Sequence, residues 1–237
     1  MSKMTRLLSQ GTQAVVPAAK GRQAMAVTDQ TTRTQHEFEP YPFSDAVPGV
    51  EIVLPTDEAD ARVLLDRRTL KLIGSLHRRF WSRRKDLLFG RAQSGCSVAP
   101  RYPTVESAEE SSVRVIDLAG PLAQTWDGRL CLHRELGEMV EADPTPEVER
   151  RIAIRGWGET EPGVLVDGRS VPGCVFDLAL ALQSGADSFR RHDQPFVVSI
   201  PAATCAEEER LWSDLSNLAH DRTGIDRGTV EIRSDRS

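Results

Sequence analysis

Apolar residues recur at helical spacing between residues 60 and 91. Leu65, Leu72, Ile73, Leu76 and Phe80, with Thr69, line one face of a predicted amphipathic helix. The polar stretch 92–118, rich in Ser, Glu and Pro, reads as a linker or irregular loop with a short strand at Val113–Leu118. Glu141–Glu149 carries prolines and reads as another loop. From there the pattern changes. Ile152-Ala153-Ile154 is an apolar run suited to a buried strand. Leu165 and its neighbours, closed by Asp167-Gly168, predict a turn-bounded extended piece. Val175 to Arg191 reads as a helix that buries Phe176, Leu180 and Phe189. Phe196–Ile200 is a second strand, ended by Pro201. Thr204 and Glu207 have the spacing of a capping box and start a further helix. Leu211, Trp212, Leu215 and Leu218 form its apolar stripe, Gly224 stops it, and Gly228–Ile232 is a third strand.

The order strand, helix, strand, helix, strand over residues 151–233 implies an α/β fold with parallel strands and right-handed crossovers. A doubly wound sheet and part of a TIM barrel both satisfy that order, and the apolar pattern does not choose between them.

Composition narrows the picture. The chain has 237 residues, 39% hydrophobic and 27% charged, which supports a packed core. A run of about 18 apolar residues, the least a membrane span needs, does not occur. The net charge of −5 makes no global case for binding nucleic acid or acidic lipid. Cys96, Cys131, Cys174 and Cys205 are scattered without C-x-x-C spacing and read as reduced thiols. The histidines are dispersed in the same way. Residues 1–48 are rich in Gln, Thr, Ala and Ser and read as a disordered or targeting extension. Within it, Arg6-Leu7 followed by Gln13-Ala14 fits the loose nine-residue pattern of amino-terminal peroxisomal signals. A cytoplasmic location is the alternative.

Two charged runs invite a chemical reading. His77-Arg-Arg-Phe-Trp-Ser-Arg-Arg-Lys85 is a basic patch interleaved with aromatics, a pattern that meets phosphates. The competing reading is the solvated face of a helix whose Phe80 and Trp81 pack inward. Glu207-Glu208-Glu209 reads either as a metal-binding run or as acids in a first helical turn, and the turn is the simpler account. Asp177 and Asp187 lie on one helix but not on one face. Dinucleotide, P-loop, nucleophile-elbow and H-E-x-x-H motifs are absent from the sequence.

A series of short motifs carries more. In order they are R-G-W (155–157), V-L-V-D-G (164–168), V-P-G-C-V-F-D-L-A-L (171–180), P-F-V-V-S-I-P (195–201), E-R-L-W-S-D-L (209–215) and G-I-D-R-G-T (224–229). Together they resemble the first barrel segment of the malate synthases, of the malate synthase A type. Pro48-Gly-Val-Glu-Ile52 and the basic run similarly resemble that family's amino-terminal helical clasp. The resemblance implies a partial TIM-barrel-type βα segment behind an α-helical clasp. It also implies the glyoxylate-cycle reaction, in which glyoxylate, acetyl-CoA and water give malate and CoA. The family's magnesium, held by a Glu and an Asp, polarises glyoxylate, an Asp removes a proton from the acetyl methyl group, and an Arg steadies the enolate.

Carried over residue by residue, the match departs from the family at these points. The family's R-x-R-G-W is Ala153-Ile154-Arg155-Gly156-Trp157 here, so Ala153 stands where the catalytic Arg belongs. Arg155 matches the second, non-catalytic Arg and is the only candidate for a catalytic role. The family's H-L-P-E is Gly158-Glu159-Thr160-Glu161, and its L-P-K is Ile200-Pro201-Ala202. The metal Glu falls at Ser237 on an ungapped match, and Glu231 fits only with a gap. No residue takes the place of the other metal ligand or the catalytic Asp. The family's first barrel strand is expected to be deleted between Leu118 and Trp126. A closed barrel takes about 250 residues and eight strands, against roughly 85 residues and three strands here.

The expected organisation is an extension at 1–48, a clasp-like region and linker at 49–118, and a partial barrel segment at 119–237. The expected function is a truncated, degenerate malate synthase-like chain, inactive alone, with glyoxylate, acetyl-CoA and magnesium as the family's ligands. The alternative is a non-catalytic interaction or regulatory module, or a fragment that pairs with a full-length homologue. Nucleic-acid binding through residues 77–85 is the weakest reading.

Overall fold

Two sheets and four α-helices make up the described part of the chain, which in this computed structural model comprises residues 47–53, 64–93, 113–141, 149–189 and 196–234. The elements run β1 (Val50–Ile52), α1 (Arg67–Gln93), β2 (Val113–Asp117), a 3-10 turn (Pro121–Gln124), α2 (Trp126–Glu141), β3 (Glu149–Ala153), β4 (Thr160–Val166), β5 (Arg169–Pro172), α3 (Gly173–Phe189), β6 (Phe196–Ile200), α4 (Ala206–Thr223) and β7 (Val230–Ser234). All fall within the unit Phe38–Ser237. The amino-terminal extension and its peroxisomal pattern lie outside the described residues.

The larger sheet has the order β2-β3-β6-β7, with every neighbouring pair parallel. The fold is therefore α/β with a parallel sheet, as the strand–helix alternation implies, and among the described residues the sheet does not close into a barrel. Its register sets the geometry of everything that follows. Ile116, Ile152, Val198 and Ile232 form one cross-strand row on the face that joins the core. The alternate positions point the other way. There, Asp117, Ala153, Ser199 and Arg233 form one row, and Val115, Arg151, Val197 and Glu231 form the next.

The smaller sheet is antiparallel, β1-β4-β5. Its hairpin turns at Asp167 and Gly168, both with positive φ (51° and 71°), the conformation a two-residue type I′ turn requires. The extended piece expected around Leu165 is thus one arm of a hairpin, and β1 pairs along it from Val50↔Val166 to Ile52↔Val164. A register shift between Glu161 and Leu165 marks a bulge in β4.

The helix expected over 60–91 runs from Arg67 to Gln93 and buries Leu72, Ile73, Leu76 and Phe80. Each such side chain contributes about 1.5–3 kcal/mol by leaving water. Asp66 starts it by accepting bonds from the Thr69 amide and hydroxyl, both at 2.7 Å. Helix α3 is buried on every side over Cys174–Leu182 and forms the centre of the molecule, packed against α1, α2 and α4.

Helix α4 starts where expected, but by a different device. Cys205 is the N-cap and makes no side-chain capping bond. Glu208, not Glu207, turns back to Thr204, accepting its amide at 2.7 Å and its hydroxyl at 2.9 Å. Gly224, left-handed at φ 66°, closes the helix with its amide on the His220 carbonyl at 2.9 Å. β7 begins two residues later than expected, because Asp226–Thr229 form a turn held by Asp226.

The basic run of α1 serves mainly as internal fastening. Arg78 makes a two-toothed contact with Asp167 at the hairpin tip, both bonds 2.9 Å, and donates to the Pro48 carbonyl at 2.6 Å. Arg83 pairs with Asp214 of α4 at 2.6 Å. Arg91 reaches Thr204 and Glu208. Phe80 packs inward as expected. Trp81 does not: it is half-buried, stacked on His77 and flanked by Arg84 and Arg169.

Candidate functional site

Parallel α/β sheets present their ligands at the carboxyl ends of the strands, so the end of β3 and the residues after it decide the chemistry. β3 ends at Ala153, 3% exposed, between Asp117 and Ser199 in its row. The Ala153 carbonyl accepts the Leu118 amide at 2.8 Å, and Ile154 donates to Ser199 at 3.1 Å, so the backbone is pinned on both sides. Ala153 brings no charge or hydrogen-bonding group to this position.

Arg155 is aimed elsewhere. Its side chain is 2% exposed and fully engaged. The guanidinium donates from Nε to Asp177 Oδ2 at 2.9 Å and from Nη2 to Asp177 Oδ1 at 2.6 Å. Nη2 also reaches Glu161 Oε2 at 3.1 Å, and the Arg155 amide bonds to Asp177 Oδ2 at 2.9 Å. Glu161, placed by the β4 bulge, accepts Arg129 Nη1 at 2.8 Å and the Gly163 amide at 3.1 Å. Arg129 in turn donates to the Ala123 carbonyl at 2.7 Å. The Phe176 ring lies between the two guanidiniums, 5.7 and 5.8 Å from their centres. Two cations and two carboxylates thus form a buried cluster of zero net charge that ties together α2, the loop after β3, β4 and α3.

The electrostatics agree with a closed structural unit. Burial opposes the charge on Arg155, but Asp177 and Glu161 outweigh it through charge and hydrogen bonds, and its pKa moves up. Burial pushes the Asp177 carboxyl up, and Arg155 pulls it back only in part. Burial lowers Arg129 despite the attraction of Glu161. The cavity beside the cluster, lined by Leu118, Arg129, Phe176 and Asp177, measures about 10 Å³, room for one water and not for a two-carbon acid. Gly173 belongs to the same unit. A Cβ there would stand 2.9 Å from Arg155 Nε, so the V-P-G-C motif needs glycine at this position.

The R-G-W loop is also held from the α1 side. Arg84, buried, donates from Nε to the Trp157 carbonyl at 2.7 Å and from Nη2 to the Glu159 carbonyl at 3.3 Å. Trp157 packs against Trp212 at 5.0 Å and Phe80 at 6.1 Å, joining the loop to α4 and α1.

The described residues around this site do not fit a magnesium ion. Glu161 and Asp177 are both committed to guanidiniums, and Glu231 pairs with Arg233 at 2.8 Å. Among the described residues, no three His, Cys, Asp or Glu side chains come together as a metal site. The Glu207–Glu209 run sits in the first turn of α4, with Glu208 held by Thr204 and Arg91. A larger groove of about 580 Å³ runs beside α4 over Ile200, Ala202, Trp212 and Ile232, away from the cluster.

Comparison with known proteins decides the lineage. The family model described as malate synthase, TIM barrel domain, matches residues 151–233, the stretch from β3 to β7. The glyoxysomal malate synthase of Candida tropicalis is 27% identical over 81% of this chain and 45% of its own length. Over residues 151–233 the chain matches the malate synthase family. Malate synthase A of Escherichia coli K12 is 26% identical over 50% of this chain and 22% of its own length. The glyoxysomal malate synthase of Glycine max is 30% identical over 44% of this chain and 19% of its own. The chain thus spans less than half the length of each of these relatives. Ala153 and Arg155 both lie within the matched stretch.

Proposed function

We propose that this chain is a malate synthase-like scaffold that keeps the packing frame of the family and does not, by itself, condense glyoxylate with acetyl-CoA. One observation carries the reading: the end of β3 offers Ala153, and the nearby Arg155 is bound to Asp177 and Glu161, out of reach of any substrate. Moving Arg155 to the vacant role would leave two buried carboxylates short of their partner, a change of several kcal/mol. Acetyl-CoA and magnesium are the family's ligands, and the paired state of Glu161 and Asp177 supports neither binding here. The test is release of free CoA thiol from acetyl-CoA and glyoxylate with magnesium, using the folded chain. Release at the rate of reagents alone supports the reading; turnover at an enzyme-like rate refutes it.

A second reading, a non-catalytic module that pairs with a full-length homologue, draws support from the buried packing residues Trp157, Phe176 and Trp212 beside the missing charge at Ala153. Co-purification with an intact synthase supports it. The proposed organisation is an extension at 1–48, a clasp-like region at 49–118 and a barrel-type segment at 119–237, with β2 pairing onto that segment from the preceding region. We also propose a peroxisomal or glyoxysomal location, supported by Arg6-Leu7 with Gln13-Ala14 and by relatives named glyoxysomal. Loss of organelle targeting in a fluorescent fusion carrying Arg6→Ala and Leu7→Ala tests it.

A further inference from the structure

We propose that His77 is an acid-sensitive latch: a proton taken up at its ring releases the tip of the β4–β5 hairpin and β1 from α1 and leaves the larger sheet folded. The inference is independent of whether the chain is active. His77 is buried, and neither ring nitrogen has a hydrogen-bond partner. Buried polar groups are nearly always paired, so this ring is an exception with a consequence. Trp81 stacks on one face of it at 5.0 Å. Charged groups surround it. Asp167 and Arg169 come from the hairpin, and Arg84 and Arg78 from α1 itself. On α3 the titratable group that acts with Arg84 is Cys174, and burial keeps its thiol neutral. Among the groups that act on the ring, Asp167 is the one carboxylate, and Arg78 already holds both its oxygens at 2.9 Å.

A neutral imidazole fits this setting, and an imidazolium does not. Protonated at both nitrogens, the ring carries two donors and a charge. It finds no free acceptor, and three guanidiniums repel it. A buried charge without a partner is costly enough that the group either stays neutral or leaves the site. Burial holds the ring neutral down to a pKa of about 4, well below the range of an exposed histidine. In acid, the release of the ring to water is therefore favoured.

The hairpin tip gives way because its ties to α1 are exposed. Arg78 and Asp167 are each about half in water, and Arg78 also donates to the Pro48 carbonyl at 2.6 Å. β1 is three residues long and, among the described strands, pairs with β4 alone. The Asp167 amide joins it to the tip through the Gly49 carbonyl at 2.7 Å. The smaller sheet shares no strand with the larger one, so the tip can open while β2-β3-β6-β7 stays paired. Short segments held by exposed bonds open locally at a lower free energy than the whole fold.

The test is hydrogen–deuterium exchange of the full chain at pH 7, 6 and 5, with rates corrected for the intrinsic pH dependence of amide exchange. An open state in which His77 titrates near its ordinary 6.5 gains on the latched state about twentyfold between pH 7 and 5. Exchange in Val50–Ile52 and at the hairpin tip around Asp167 should speed up by that factor, while Phe196–Ile200 keeps its protection. His77→Gln and His77→Phe carry no titratable ring and should remove the acceleration. Nitrogen NMR of the imidazole in the unsubstituted protein reads the same event without a variant, and the folded-state ring should stay neutral at pH 5. Equal acceleration at Phe196–Ile200 means that the whole fold opens, and it overturns the latch. Unchanged exchange at the hairpin, acceleration that persists in both variants, or a folded-state ring that titrates near pH 6.5 overturns it too.

Discussion

Ala153 ends β3 in the row that carries Asp117, Ser199 and Arg233, while Arg155, two residues on, is buried among Asp177, Glu161 and Phe176. The proposed match sets both positions against arginines of the family motif, and here only Arg155 is an arginine. The difference lies in what each holds up. The partners of Arg155 belong to three other parts of the fold, so its loss leaves buried carboxylates unpaired. An arginine that meets only a substrate can become alanine without disturbing the core. On the proposed reading, the arginine present here is the one that the packing needs.

The sharpest way to break that comparison is to unbalance the cluster. Asp177→Ala leaves Arg155 buried beside Glu161 alone, and unfolding free energy is expected to fall by about 3–5 kcal/mol. Replacing the pair together, Arg155→Met with Asp177→Leu, removes both charges and recovers most of the loss. Urea titration of the three proteins measures it. If Asp177→Ala costs less than about 1 kcal/mol, the range of an exposed pair, Arg155 is not locked and the argument against its catalytic use fails.

That cluster was only partly legible in the sequence. Arg155 was marked by its motif, but its partners are brought in by tertiary structure from 22 residues away for Asp177 and 32 for Arg129–Glu161. A signal existed nonetheless. Asp177 is the lone acid in Cys174-Val-Phe-Asp-Leu-Ala-Leu, and an acid in an apolar helix demands a cation. The parallel strands were legible because buried strands read as continuous apolar runs; Phe196–Ile200 is the clearest. Helix α2 was harder. Leu132, Leu136 and Met139 are buried at helical spacing, but Gly128 and the alternation at Leu130-Cys131-Leu132 blur its first turns. The purpose of the basic run could not be read locally, since Asp167 and Asp214 lie 89 and 131 residues away from their arginines.

Arg84 gives the second-largest expected effect. It is the buried member of that run, and its guanidinium holds the carbonyls of the R-G-W loop. Arg84→Ala strands those acceptors and opens a gap under Trp157, at a cost of about 2–4 kcal/mol. Because Trp157 packs on Trp212 and Phe80, its fluorescence should change with the same denaturant midpoint as the fold as a whole.

His77 sharpens the contrast between paired and unpaired burial. It is 2% exposed, and neither ring nitrogen has a hydrogen-bond partner. Burial lowers its pKa to about 4, with Asp167 opposing the shift and Arg169, Arg84 and Arg78 adding to it. The unfolded chain therefore binds a proton near pH 6.5 that the folded chain refuses until about pH 4, so stability falls as pH falls through that window. Between pH 7 and 5 the loss from this residue is about 2 kcal/mol. His77→Phe should flatten the slope by that amount, and an unchanged slope would show that the histidine titrates normally.

The smallest effect is expected at the exposed end of the same helix. Arg78 and Asp167 form a two-toothed contact of good geometry, but their side chains are 42% and 50% exposed. Water screens such a pair, so Arg78→Ala should cost no more than about 1 kcal/mol, and added salt should shrink the difference further. Asp167 has a second role that the pair does not explain: at φ 51° it occupies the first position of the hairpin turn. Asp167→Gly loses the charge but suits the backbone, whereas Asp167→Val strains it. Asp167→Gly should therefore match Arg78→Ala, and Asp167→Val should be clearly less stable than either. Thermal melts of the three variants in low and high salt separate the two roles, because salt acts on the charge pair and leaves the turn strain in place.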